Sequence, residues 1–233
     1  MINFYKNIDP SKITFNVDNS YPKISAKDKP LIEKHWKNIL IEKPFMFNGN
    51  NYYVNNFKIV KEDLKISVNK LDFRTYVWAR DTGIKEPGLG AFVTGVYLYD
   101  DTNFYFPRRG EHVTYNSGKL NGVLGGLDYS DCGAAFIWDH ILATTLKEIK
   151  EEVEVDRKIK KEDLKFFIIG FNPESYRIDV RFTAKAKILG FKNKESREIV
   201  AIPKEKLADF IKNKPEEFTE NDLNFIKQLP SSF

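Results

Sequence analysis

The sequence predicts an α/β or α+β fold with an added N-terminal segment, and three observations predict it. Segments with helical spacing are interspersed among β-branched and aromatic segments, giving three or four helices within a mainly β order. The loop "RDTGIKEPGLG" separates an extension, residues 1–88, from residues 89–233. Finally, 233 residues with 42% hydrophobic side chains can build a sizeable core, enough for one large domain or a medium one with an addition.

Residues 1–30 are polar and turn-rich, with Pro10, Pro22 and Pro30, and are expected to wrap over the rest. "KPLIEKHWKNILIEK" predicts a helix: Leu31, Trp36, Ile39 and Leu40 recur near helical spacing, and Asp28 stands at the cap. From "FMFNGN" to "TYVWAR" an "NGN" turn leads into alternating residues that predict two or three strands. "AFVTGVYLYDDTNFYFPRRG" predicts a hairpin about "YDDTN". "EHVTYNSGKLNGVLGGLDYSDCG" is irregular and glycine-rich. A helix is predicted over Asp139–Asp156, then strand, turn and strand through "KKEDLKFFIIGFNPESYRIDVRFTAKAKI". A short loop and strand follow over Ile188–Val200, and the tail predicts one helix and a second, shorter one.

The net charge of +4 makes no strong case for a nucleic-acid partner. One cysteine, Cys132, excludes an intrachain disulfide and a cysteine-rich zinc site, and without a histidine partner it reads as an inert thiol. His35, His112 and His140 show no ligand spacing. No apolar run approaches the roughly 20 residues of a membrane helix, and no apolar leader opens the chain, so a soluble cytoplasmic protein is expected.

The Asp139–Asp156 helix holds the strongest chemical signal. At about 100° per residue, Glu148, Glu151 and Glu152 share one arc, and Leu142, Leu146, Ile149 and Val153 lie opposite. An ordinary solvated face would explain the arc. Three local features oppose that explanation. Glu148 repels Glu151 and Glu152 at i,i+3 and i,i+4; Lys147 precedes Glu151 in the less favourable order; and the acids sit at the helix end where the macrodipole favours cations. A hard divalent cation such as Mg²⁺, which takes carboxylate oxygens, would reverse all three. Gly125 and Gly126 upstream permit close backbone approach to a ligand or cation.

"LKEIKEEVEV" resembles the second half of the Nudix box, G-x5-E-x7-R-E-U-x-E-E-x-G-U with U aliphatic. A literal match runs from Gly133 through Asp139 to Lys147, Glu148, Ile149, Lys150, Glu151, Glu152, Val153, Glu154 and Val155. A second alignment, preferred because "KLNGVLGGLD" resembles the family's strand and Gly-Gly turn, uses Gly125 and Gly126 with an insertion around "YSDCGAA". Asp139, Lys147 and Glu154 depart from the family's Glu, Arg and Gly. Lys cannot hold a carboxylate bidentately, and Glu takes φ > 0 less cheaply than Gly, which puts the activity in question.

The resemblance covers roughly residues 89–205 and implies a Nudix-type α/β/α sandwich with a mixed sheet, preceded by an α+β extension. More loosely, "WKNILIEKPFMFNGNNYYVNNFKI" and "DFRTYVWARDTG" resemble the extension of the long Nudix proteins that hydrolyse UDP-glucose and UDP-galactose. The implied activity is Mg²⁺- or Mn²⁺-dependent hydrolysis of the pyrophosphate bond of a nucleoside diphosphate derivative, a UDP-sugar being one candidate. The implied metal ligands are Glu148, Glu151 and Glu152, the Gly126 carbonyl (or that of Gly125) and Asp179; Lys147 would orient a carboxylate, and Arg108 and Arg109 with Gly125 and Gly126 would meet the substrate. A hairpin-end surface pair explains the arginines equally well, and a strand-surface carboxylate explains Asp179. Trp36, Trp78 and Trp138 are read as core before they are read as base-stacking residues. A homodimer is a further expectation, since many Nudix enzymes pair. Two other classes stay open: a nucleotide-binding module that keeps the fold but has weak chemistry, and an interaction domain whose acidic stripe is only surface.

Overall fold

The computed structural model describes residues 1–18, 22, 24–60, 63–111, 113, 115–127 and 138–229. In chain order the elements are β1 (Asn3–Lys6), β2 (Ile13–Asp18), α1 (Asp28–Glu42), β3 (Asn50–Val60), β4 (Asp63–Asp72), α2 (Phe73–Asp81), β5 (Gly90–Tyr99), β6 (Asn103–Arg109), β7 (Val123–Gly126) and α3 (Trp138–Glu152). They continue with β8 (Val153–Val155), β9 (Lys165–Asn172), β10 (Arg177–Lys185), β11 (Ile188–Phe191), β12 (Ser196–Pro203), α4 (Leu207–Asn213) and α5 (Glu220–Ile226). This is an α/β fold with a mixed sheet.

The chain divides into two compact units. The first holds Met1–Thr94, Gly126–Thr144 and Ile168–Val180; the second holds Gly95–Gly125, Thr145–Phe167 and Arg181–Phe233. In the first, the strand order is β1-β9-β10-β5-β3-β4-β2. β2 runs parallel to β4, whereas β3 pairs β4 antiparallel and β1 pairs β9 antiparallel. The strands β1 and β2 correct the expectation that residues 1–30 merely wrap. "NFYK" and "ITFNVD" carry the β-branched and aromatic residues that suit a pleated surface, and they add to sheet edges, where the flanking Pro10 is tolerated.

A second correction concerns "DFRTYVWAR", which forms α2 and not a strand. The Asp72 carboxylate caps it, accepting from the Thr75 amide at 3.1 Å and from its hydroxyl at 2.9 Å, and this local signal outweighs the strand preference of the aromatic residues. Val77, Trp78 and Ala79 are then buried, and Trp78 joins Ile32, Tyr53, Leu71 and Leu89 in the core of the unit. On α1 the buried residues are Ile32 and Trp36, while Leu31 is half exposed; the Ser25 hydroxyl, and not Asp28, accepts from the first turn, at the Asp28 amide.

In the second unit the order is β12-β6-β5-β7, with β8 and β11 as a separate antiparallel pair. The predicted hairpin is present: Leu98 pairs Tyr105 and Tyr99 pairs Phe104. The tail gives two helices of seven residues. α5 is held by a buried polar group. Asp222 accepts from Tyr97 Oη at 2.8 Å and from Thr219 Oγ1 at 2.9 Å, and lies 3.8 Å from the fully buried Arg181, whose guanidinium stands over the Phe225 ring. Thr219 also caps α5, its hydroxyl accepting from the Asp222 amide. Thr219→Ala is expected to cost about 0.5–2 kcal/mol of unfolding free energy, the range for a lost N-cap, measurable by urea titration; a cost near zero would show that the cap is idle.

Candidate functional site

α3 places its acids unevenly. Ile141, Thr144 and Thr145 are buried, and Glu148 and Glu152 continue that stripe at i+3 and i+7 from Thr145. Glu152 is only 8% exposed and Glu148 is partly buried, whereas Glu151 is exposed. The expected split into a core face and an acidic face is therefore corrected in part: Ile149 and Val153 are buried as expected and Leu142 and Leu146 are only half buried, but the helix also turns two of its three glutamates inward. A purely superficial acidic stripe does not describe these two.

Gly125, on β7, explains how Glu148 fits. A Cβ at this position would lie 2.0 Å from Glu148 Oε1, 2.1 Å from its Cδ and 2.5 Å from its Cγ, so the carboxylate lies flat on the glycine backbone. Close approach is the reason for a glycine here, since Gly125 has no positive φ. Gly126 has no such neighbour; a Cβ there would meet only Asn51 Nδ2, at 3.4 Å.

Glu195, which the sequence reading missed, completes the acidic group. It sits between β11 and β12 in a turn closed by Asn193, whose Oδ1 accepts from the Glu195 amide at 3.0 Å. Two backbone bonds anchor the turn: the Gly110 amide donates to the Glu195 carbonyl at 2.7 Å, and the Lys192 amide donates to the Glu152 carbonyl at 3.0 Å. The pairing of β11 with β8, which sets Phe191 opposite Val153 just past α3, brings this turn to the helix end, and the pairing of β12 with β6 sets Ser196 opposite Arg109; nothing local in "KNKES" marks it.

Burial first, then the charges of Glu151 and Glu195, push the Glu148 carboxyl up to about 7, against the pull of Lys147. Burial first, then Glu148 and Glu195, raise Glu152 well above the carboxylate range, and Arg109 opposes the rise. The hydrogen bond between the two lowers Glu148 and raises Glu152, so the two carboxyls titrate as a pair. Hard oxygen donors with too much negative charge for their burial suit a divalent cation, and a proton held near neutral pH is one that a cation can displace. Among the described residues no three His, Cys, Asp or Glu side chains already converge as a metal cluster.

The remaining predicted residues fall as follows. Lys147 is half buried, and its charge acts on Glu148. Arg109 donates from Nε to the Tyr115 carbonyl at 3.0 Å, and its charge reaches Glu152. The Arg108 guanidinium is engaged by Glu198 and Glu217, each at 2.6 Å, and by the Gly118 carbonyl at 2.9 Å. Asp179 belongs to the first unit, where it is buried and accepts both arms of Arg177, at 2.7 and 2.9 Å. Asp139 opens α3 and is exposed. Glu154 lies in β8 without a positive φ, so the absence of the family's glycine brings no backbone strain there. Cys132, Gly133, His112 and the "YSDCGAA" insertion lie outside the described residues. Trp36 and Trp78 are core residues. No helix of the described residues is long and apolar enough to cross a membrane.

No family model and no curated protein matches the chain. Among solved structures it is similar to a Nudix hydrolase from Alicyclobacillus acidocaldarius, with 13% identity over 59% of this chain and 90% of the other at a TM-score of 0.44. It is also similar to a bifunctional NMN adenylyltransferase/ADP-ribose pyrophosphatase from Francisella tularensis, complexed with AMP and a manganese ion, with 13% identity over 66% of this chain and 44% of the other at a TM-score of 0.45. A third is the Nudix domain of Shewanella oneidensis NrtR complexed with ADP-ribose, with 15% identity over 60% and 85% at a TM-score of 0.41.

Proposed function

We propose that this chain is a divalent-metal-dependent hydrolase of the Nudix type. Its substrate would be a nucleoside diphosphate joined to another moiety, with UDP-sugars as a test class, and its products a nucleoside monophosphate and a phosphorylated moiety. The observation that supports this is the hydrogen-bonded pair of the partly buried Glu148, packed against Gly125, and the buried Glu152, both feeling the charge of Glu195. Burying two carboxylates together is unfavourable, and such an arrangement is characteristic of sites that use charge.

Glu148, Glu151 and Glu152 are assigned to Mg²⁺ or Mn²⁺, with Glu195 as an addition. The metal, when bound, lowers the pKa of a water and offsets phosphate charge. Arg109 is assigned to a substrate phosphate, because it lies by the acids and presents a planar donor set. Arg108, gripped by Glu198 and Glu217, ties β6 to β12 and so holds Arg109 and Glu195 in place. Lys147 moderates the charge of Glu148.

The test is phosphate release from a panel of nucleoside diphosphate derivatives, with a phosphatase to reveal the monophosphate product, in Mg²⁺ and in EDTA. Turnover on at least one compound, at least about 10²-fold higher with the metal, is expected; no turnover across the panel by folded protein overturns the reading. The exposed Glu151 and the absence of a converged cluster among the described residues favour the second reading, a nucleotide-binding module with weak chemistry. Calorimetric binding without turnover would decide for it.

A further inference from the structure

We infer that the first unit carries a separate ligand site, a small pocket for a flat ring bearing an anionic group. It lies where α2, the turn before β5 and the start of β10 meet, and encloses about 220 Å³. Drug-sized ligands occupy roughly 300–1,000 Å³, so this pocket takes one ring-sized group. Its apolar wall is Ile84, Leu89 and the Tyr76 ring, which packs on Tyr53 at 5.0 Å between centroids. Its polar wall is cationic: Arg80, Lys85 and Arg177 line it, and among the described residues no acid does.

The two arginines are already oriented. Arg177 is gripped by Asp179 through Nε and Nη2, at 2.7 and 2.9 Å. Arg80 donates from Nε and Nη2 to Asp81 Oδ1, at 3.0 and 2.9 Å, and its guanidinium carbon stands 5.5 Å from the Tyr76 ring centre. Guanidinium groups fixed in this way lose little freedom on meeting a carboxylate or phosphate, and their planar faces suit a flat anionic group set against the Ile84, Leu89 and Tyr76 wall. Lys85 is on the exposed rim and adds an unselective positive charge. A nucleoside monophosphate and an aromatic carboxylate share the required chemistry. The inference does not rest on the hydrolase reading, because neither wall includes a glutamate of α3.

The experiment is calorimetric titration of the full chain in EDTA with UMP, AMP, benzoate, uridine and inorganic phosphate. A ring-bearing anion is expected to bind at least tenfold more tightly than uridine or phosphate alone, and more weakly as salt rises. UMP or AMP binding identifies the nucleotide as the source, and benzoate binding alone identifies the aromatic carboxylate. Ala91→Leu, which fills the pocket from β5, is expected to abolish binding; the exposed Lys85→Glu is expected to weaken it about tenfold while leaving the melting temperature unchanged. Glu152→Gln is expected to leave the affinity unaltered. The inference is overturned if no ring-bearing anion binds, if Lys85→Glu binds as the unaltered chain does, or if Glu152→Gln removes binding and so moves the ligand to the α3 glutamates.

Discussion

Glu152→Gln is expected to lower hydrolysis by about 10²–10³-fold, the loss typical of removing one group from a preorganised charge-stabilising site, and to make the metal-free protein more stable at alkaline pH. The second effect follows from the titration of the pair. Glu148 titrates near 4.5 in the unfolded chain and near 7 in the folded one. Between these values the folded state retains a proton that the unfolded state has released, so stability is greatest below about 4.5 and falls as pH rises towards 7. The raised Glu152 extends the fall to higher pH. A move from 4.5 to about 7 corresponds to roughly 3 kcal/mol. Gln at 152 removes one charge and still donates to Glu148, so the slope should be reduced and the variant should gain about 1–3 kcal/mol at pH 8. Near pH 4 the two proteins should coincide.

Urea titrations in EDTA at pH 4, 6 and 8 measure this directly. Mg²⁺ should then raise the midpoint of the unaltered chain at pH 8 much more than that of the variant, because the ion stabilises only the state that binds it. Equal pH slopes in the two proteins, or full activity in the variant, would remove the pair from the site.

The part of this site that was legible in the sequence is the part written within one helix. Spacing on α3 put three glutamates on one arc, and their mutual repulsion identified them as unusual. Spacing did not reveal which way the arc faces. Ile149 and Val153 marked a core face and are buried, but the buried surface also runs through Ile141 and Thr145 to Glu148 and Glu152. That orientation is fixed by Gly125 and by a strand pairing distant in the chain. Glu195 was illegible for the same reason: it reaches the acids through the pairings of β11 with β8 and of β12 with β6. The strands β9 and β10 and the β5–β6 hairpin were legible because alternation and turn residues are local signals. β1 and β2 were not, because short edge strands between prolines and polar residues gain their partners only from β9 and β4. α2 depended on a single cap, Asp72, against a run of aromatic and β-branched residues.

Gly125→Ala should separate the two glycines of the "GG" turn. The new methyl would overlap the Cγ, Cδ and Oε1 atoms of Glu148, so rotating the carboxylate end cannot relieve the clash and the whole side chain must leave its place. Displacing Glu148 also breaks its bond to Glu152 and leaves that buried group unpaired. Hydrolysis should fall on the order of 10²-fold, as expected when a working group moves by an ångström or so, and unfolding free energy should fall by about 1–3 kcal/mol. At Gly126 the same methyl meets only Asn51 Nδ2 at 3.4 Å, there is no positive φ to strain, and the backbone carbonyl is retained. Gly126→Ala should therefore keep kcat/KM within about twofold, equivalent to less than 0.5 kcal/mol. Measured together with the thermal melts of both variants, the contrast tests whether the flat packing of Glu148 on Gly125 is what the reaction needs. A Gly125→Ala protein with unaltered kcat/KM would show that it is not.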